Sequence, residues 1–249
     1  MAQKEYVMVR DKKYYVKANY FIPGTQSQRD SGKLLDLRKL SISDVQEITE
    51  LDQITNLKAL NLSDNSINRL EGLENLISLE TLIVKKNEID AISGLETLTN
   101  LETLDLLSNK IIKIEGLDTL TNLNSLDLTD NAISKLEGLS NLKKLEWLYL
   151  TGNKIEKIEN LDALINLKEL YLGYNKIRNI PRLDLLRNLE LISLANNPLD
   201  NLKELENLGN ILIIVEEDPK YNQLKDIFTI DHSPIGTIEL RKKGEDFID

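Results

Sequence analysis

The residues of this chain best equipped for chemistry are recognition groups. Trp147, the only tryptophan, stands two residues before Tyr149, and Tyr171 and Tyr174 follow in the next stretch of similar sequence. Glu146, Glu169 and Glu190 lie beside these rings, and Asp105, Asp127 and Asp130 precede them. Large amphipathic rings bordered by carboxylates have the makeup of a protein-binding hot spot. Gly152 and Gly173 are expected to leave space beside the rings for an inserted group. The three aspartates also suggest a cation site, but calcium wants six to eight oxygens around it. Carboxylates offered from one side suit a basic protein segment better than an ion, so no metal is expected.

Catalysis has little to work with. There is one histidine, His232 in a D-H-S-P loop, and no cysteine, so a nucleophile–base pair has no ready members. Phosphate-binding glycine loops, dinucleotide fingerprints, H-E-x-x-H pairs and nucleophile elbows are all missing from the sequence. The expectation is a chain that is not an enzyme and carries no cofactor. Lys+Arg total 31 against 41 Asp+Glu, a net charge of −10, which disfavours a nucleic-acid backbone as partner. No run approaches the roughly 18 apolar residues needed to span a bilayer. The opening M-A-Q-K-E-Y-V-M-V-R lacks the apolar stretch of a secretory signal. Together these point to a soluble cytoplasmic monomer without a membrane partner.

A repeat must position the rings and acids. Asparagine recurs every 22 residues, at Asn65, Asn87, Asn109, Asn131, Asn153, Asn175 and Asn197. An aliphatic pair precedes each one, from Leu60/Leu62 through Leu148/Leu150 to Ile192/Leu194. After each Asn, aliphatics return at every third position, as in Ile67, Leu70, Leu73, Leu76 and Leu79. Spacing by two predicts a short strand with one face buried. Spacing by three fits 3₁₀-like turns, whose side chains eclipse at i and i+3. A coil made of one strand and one such return cannot bury its own ends, so the coils must stack. The asparagines then satisfy backbone groups at the bend.

This pattern, L-x-x-L-x-L-x-x-N-x-I-x-x-I-x-x-L, resembles the leucine-rich repeat. Its 22-residue form is similar to the subclass of the regulatory subunit of protein phosphatase 1, which bacterial internalins share. The resemblance covers roughly Leu35 to Leu208. It implies an α/β solenoid, a leucine-rich-repeat horseshoe with a parallel concave β-sheet and a 3₁₀/turn convex side, capped at both ends. It also implies a binding role, with a protein partner such as a phosphatase or another enzyme.

The organisation expected is an N-terminal hairpin-like cap and loop over 1–32, a solenoid over 33–210, and a C-terminal cap and tail over 211–249. Tyr6–Val9 and Tyr14–Val16 flank a polar turn and read as a β-hairpin, a cap for the first coil. Tyr20, Phe21 and the Pro23–Gly32 loop belong to the same piece. The first coil has Leu40 in place of Asn and one extra x-x-L step. Downstream, Ile211–Val215 continues as a further strand, with Glu216 and Pro219 at the next aliphatic and Asn positions. A short helix is expected around Tyr221–Phe228, and a strand at Thr237–Leu240.

Strand parity turns the columns between the leucines outward. One column reads Asp36, Asn61, Ile83, Asp105, Asp127, Tyr149, Tyr171, Ser193; its neighbour reads Leu34, Ala59, Thr81, Thr103, Ser125, Trp147, Glu169, Leu191. The concave face should therefore run from a basic zone (Lys33, Arg38, Lys39, Lys58, Lys85, Lys86) through an acidic middle to an aromatic zone. The function expected is a non-catalytic protein–protein interaction scaffold or regulatory subunit binding on that face. The alternative is a structural or self-associating module using caps or sheet edges.

Overall fold

Each 22-residue unit forms a three-residue strand and a tight return in a computed structural model that describes residues 6–17, 33–54, 56–209, 211–233 and 236–243. The strands are β1 (Tyr6–Val9), β2 (Lys12–Tyr15), β3 (Lys33–Asp36), β4 (Ile48–Thr49), β5 (Leu57–Asn61), β6 (Thr81–Ile83) and β7 (Thr103–Asp105). They continue with β8 (Ser125–Asp127), β9 (Trp147–Tyr149), β10 (Glu169–Tyr171), β11 (Leu191–Ser193), β12 (Leu212–Glu216), β13 (Phe228–His232) and β14 (Thr237–Lys242). From β3 through β5 to β12 the strands pair in parallel, neighbour to neighbour, in an 11-stranded sheet that β14 and β13 close antiparallel. This is the leucine-rich-repeat horseshoe.

The threefold spacing has a direct backbone cause. The N–H of Leu76 donates to Leu73 O and that of Leu79 to Leu76 O, both at 2.9 Å, and the same i→i+3 bonds recur in later coils. Each turn thus presents its leucine to the same side, and those leucines are buried in one continuous core from Val7 to Leu240. No α-helix occurs among the described residues.

The asparagines bind successive coils together. Nδ2 of Asn87 donates to Val84 O of its own coil (2.9 Å) and Leu62 O of the coil before (3.0 Å), while Oδ1 accepts from Ile67 N (3.0 Å). Each Asn therefore also serves the coil that precedes it. That explains how the first coil manages with Leu40: Asn65 Oδ1 accepts from both Leu40 N (2.9 Å) and Ile42 N (3.1 Å).

The N-terminal hairpin meets the first coil through that coil's return segment. β1 pairs antiparallel with β4, inside the return segment of the first coil, forming a separate three-stranded sheet. The extra x-x-L step supplies that docking strand. Arg10 sits in the left-handed turn between β1 and β2, and its guanidinium donates to Ser41 O (2.6 Å) and Leu40 O (3.3 Å). Lys17 meets the edge of β3, exchanging backbone bonds with Leu34 of 2.8 and 2.9 Å. Tyr20, Phe21 and the Pro23–Gly32 loop lie outside the described residues.

At the other end, the register shifts by one. Ile192 pairs with Ile213, so the last coil is one residue short, and Ile213 and Val215 are the fully buried pair. Glu216 therefore does not occupy an aliphatic position. The helical segment is 3₁₀ and runs Pro219–Leu224, capped by Asp218; Phe228 begins β13 instead of ending a helix. His232 ends that strand, with Nδ1 3.0 Å from Glu217.

Glu216 has a role that periodicity could not show. In earlier coils the residue before each ladder Asn donates its N–H to the next coil, as Gly152 N does to Gly173 O and Tyr174 N to Ala195 O. Asn196 lacks such a carbonyl, and Glu216 Oε2 accepts its N–H at 2.8 Å, while Lys220 holds Oε1 at 2.6 Å. Glu216→Ala is expected to cost about 1 kcal/mol, the net value of one hydrogen bond, since the exposed Asn196 amide can turn to water. It should also speed hydrogen exchange at the Asn196 amide, with Glu216→Gln retaining most of the protection.

Candidate partner-binding face

Short strands in strict register place the candidate residues side by side. Asp105 pairs with Asp127, Asp127 with Tyr149, and Tyr149 with Tyr171. In the neighbouring row Ser125 pairs with Trp147 and Trp147 with Glu169. The central residues of these strands, Leu126, Leu148 and Leu170, are fully buried. Alternation therefore sends Trp147 and Tyr149 outward, where both are half-buried.

The aromatic zone is built as one layer. The Tyr149 and Tyr171 rings stack at 4.9 Å between centroids, 17° from parallel. Tyr171 donates its hydroxyl to Glu169 Oε2 at 2.9 Å. Burial pushes the pKa of both tyrosine hydroxyls up, and the Glu169 carboxylate pushes it further. Beside them the Lys168 ammonium sits 5.6 Å from the Trp147 ring centre and pairs with Glu146 at 2.7 Å. Glu190 is exposed on the same rim.

Two of the residues grouped with these strands belong elsewhere. Asp130 and Tyr174 occupy the position just before a ladder Asn, which is left-handed in every coil: φ is 56° at Asp64, 53° at Asp130, 70° at Gly152 and 54° at Tyr174. They mark the rim of the face. Tyr174 is 63% exposed and stacks on no other described ring. A bulky residue held left-handed is uncommon, and the repeat imposes that backbone. Gly152 has the same conformation, and its missing Cβ is where the Asp130 carboxylate lies: a Cβ there would fall 2.2 Å from Oδ1. The expected pocket at Gly152 is therefore already filled. At Gly173 a Cβ would come within 3.3 Å of Ala195 O, so the space expected there is tight.

Four of the six cations of the basic zone lie against carboxylates. Arg38 binds Asp36 (2.8 Å), Lys58 binds Glu80 (2.5 Å), and Lys85 and Lys86 approach Asp105 and Asp64 at 3.8 and 4.0 Å. The acidic middle is less compensated. Asp105 and Asp127 each accept a backbone N–H two residues on, from Leu107 (3.1 Å) and Thr129 (2.9 Å). Among the described residues, neither Asp127 nor Asp130 forms an ion pair.

Burial pushes both Asp105 and Asp127 above the ordinary value of 3.8, and Asp127 raises Asp105 further by repulsion. A carboxyl raised in the folded state stabilises the fold below its unfolded pKa and loses that contribution as pH rises through the folded value. Asp127→Asn is therefore expected to stabilise the chain at neutral pH, and the gain should vanish below about pH 3.8. Thermal melts of both proteins across that range check the sign.

Comparison with known families settles what the ladder implies. The family pattern described as "Leucine-rich repeat" matches residues 100–209, and "Leucine Rich repeats (2 copies)" matches 77–119. This chain is a leucine-rich-repeat protein. Among solved structures, it is similar to the internalin inlF of Listeria monocytogenes, with 30% identity over 74% of this chain and a TM-score of 0.63. It spans 59% of that internalin's length. Internalin C2 of the same organism is 29% identical over 73% of this chain and 80% of its own, with a TM-score of 0.66. TLR13, solved in complex with ssRNA13, is 27% identical over 68% of this chain and 25% of its own, with a TM-score of 0.63. Curated protein sequences give no match. The solved likenesses of the ladder thus include internalins, one of the two groups that the 22-residue repeat resembles, and those named above do not include the phosphatase regulatory subunit.

Proposed function

We propose that this leucine-rich-repeat protein is a non-catalytic scaffold that docks a protein partner on the aromatic–acidic half of its concave sheet. The observation that carries the reading is the Tyr149–Tyr171 stack. It lies in one register row with Asp105 and Asp127 and beside half-exposed Trp147. Rigid rings at the centre of a sheet expel water from a contact at little entropic cost. The adjoining acids steer a basic segment toward them. The same acids repel a phosphate backbone, which weighs against nucleic acid on this face. The resemblance of the 22-residue repeat to a phosphatase regulatory subunit makes a phosphatase the first defined partner to test.

Affinity capture with the wild-type chain and with a Trp147→Ala, Tyr171→Ala double variant tests the reading. The double variant is expected to lose proteins that the wild type retains. Identical sets from two equally folded baits would contradict it.

A further inference from the structure

Resting on that reading, we infer that the concave face takes an amphipathic helical segment in one orientation, with its basic end over β7–β8 and its aliphatic end over β11–β12. Beyond the tyrosines the face turns aliphatic. The Trp147 row continues through Glu169 to Leu191 and Leu212, and the Tyr149 row through Tyr171 and Ser193 to Ile214. Leu191, Leu212 and Ile214 are half-buried on the concave side, since their strand neighbours Ile192, Ile213 and Val215 are fully buried inward. The Glu239–Arg241 pair (3.2 Å) on β14 closes the row. At the other end stands Asp127, with Asp130 on the adjoining rim, neither in an ion pair among the described residues, and Asp105 with Lys85 only at 3.8 Å.

The face is therefore graded along the solenoid from acid through aromatic to aliphatic. A segment placed the other way would set its cations on Leu191 and Leu212 and its apolar groups on half-buried carboxylates, both unfavourable. Strands about 4.8 Å apart put β11 and β12 about 14 and 19 Å from β8. An occupant that crosses the strands cannot share the sheet's backbone bonds, because neighbouring strands already use them. An α-helix satisfies its own backbone. At 1.5 Å per residue, its basic and apolar groups then stand roughly 10–13 residues apart.

Two helical alanine-based peptides of identical composition test this. One carries an Arg pair and a Leu pair about eleven residues apart, and in the other Arg and Leu alternate on adjacent turns. Each is titrated into the full chain while the emission of Trp147, the only tryptophan, is followed. The spaced peptide is expected to bind at least about tenfold tighter, about 1.4 kcal/mol. The preference should disappear in Asp127→Asn with Asp130→Asn, and in Leu191→Ser with Leu212→Ser, each checked for folding by circular dichroism. Equal affinities, no binding by either peptide, or a preference that survives both variants would overturn the inference. So would an emission change produced only by single-stranded RNA or anionic vesicles. If Trp147→Ala with Tyr171→Ala still loses captured proteins while the peptides are not sorted, docking stands and the orientation falls.

Discussion

Asn197→Leu is expected to destabilise the fold by on the order of 2–6 kcal/mol, more than the same change at Asn153, at roughly 1–3 kcal/mol. Both asparagines are buried, at 3% and 7% exposure, and leucine matches them in size. The difference lies in which backbone groups keep a second partner. Asn153 Nδ2 donates to Leu128 O (2.9 Å) and Leu150 O (3.0 Å), and its Oδ1 accepts from Ile133 N (3.0 Å). Leu128 O also accepts from Asn131, and Leu150 O from Asn175, so only the Ile133 N–H is left without a partner. Asn197 is the last rung. It accepts from Ile177 N (2.9 Å) and donates to Leu172 O (2.8 Å) and Leu194 O (3.0 Å). No later asparagine reaches Leu194 O among the described residues. Two buried groups are then orphaned, each costing roughly 1–3 kcal/mol. Urea denaturation of both variants checks the order, and equal losses would show that the ladder does not share its bonds between coils.

The second large effect falls on binding and leaves the fold intact. Trp147→Ala with Tyr171→Ala should weaken a captured partner by at least about 100-fold, since hot-spot residues typically contribute 2 kcal/mol or more each. Tyr171 forms one layer with Tyr149, so its removal also unseats that ring, and the two losses will not add simply. Stability should change little because both side chains are half-exposed and the inward Leu148 and Leu170 remain. Ile112→Ala is the matched control: 65% exposed and outside the sheet, it should leave binding unchanged. Titration calorimetry with the recovered partner reads all three.

The horseshoe was legible because its two periods are physical signals. Spacing by two and by three each correspond to one backbone geometry, and seven in-phase copies leave no other way to bury the leucines. Strand parity placed Trp147, Tyr149, Tyr171, Asp105 and Asp127 in the rows the structure shows. What the pattern hid depends on backbone dihedrals and on contacts between coils. Asp130 and Tyr174 stand at the left-handed step before each Asn, which Gly152 hinted at but the mixed residue types at that step concealed. The Asp130 carboxylate against Gly152 is a contact across one coil, invisible in a column. The partial compensation of the basic zone comes from contacts between coils, such as Lys58–Glu80 and Lys85–Asp105. The one-residue slip before Ile213 removed Glu216 from the period and made it the acceptor that finishes the ladder. The hairpin was readable, but not its docking strand, because Ile48–Thr49 is only two residues long.

A bound partner is expected to cover the rings of the concave sheet. Trp147 reports on this directly, since all tryptophan emission from the chain comes from that one position. With a captured partner that lacks tryptophan, or one labelled to silence its own, saturation should shift the emission to shorter wavelength and protect it from a soluble quencher. Unchanged emission and unchanged quenching at saturation would place the partner elsewhere and contradict the account.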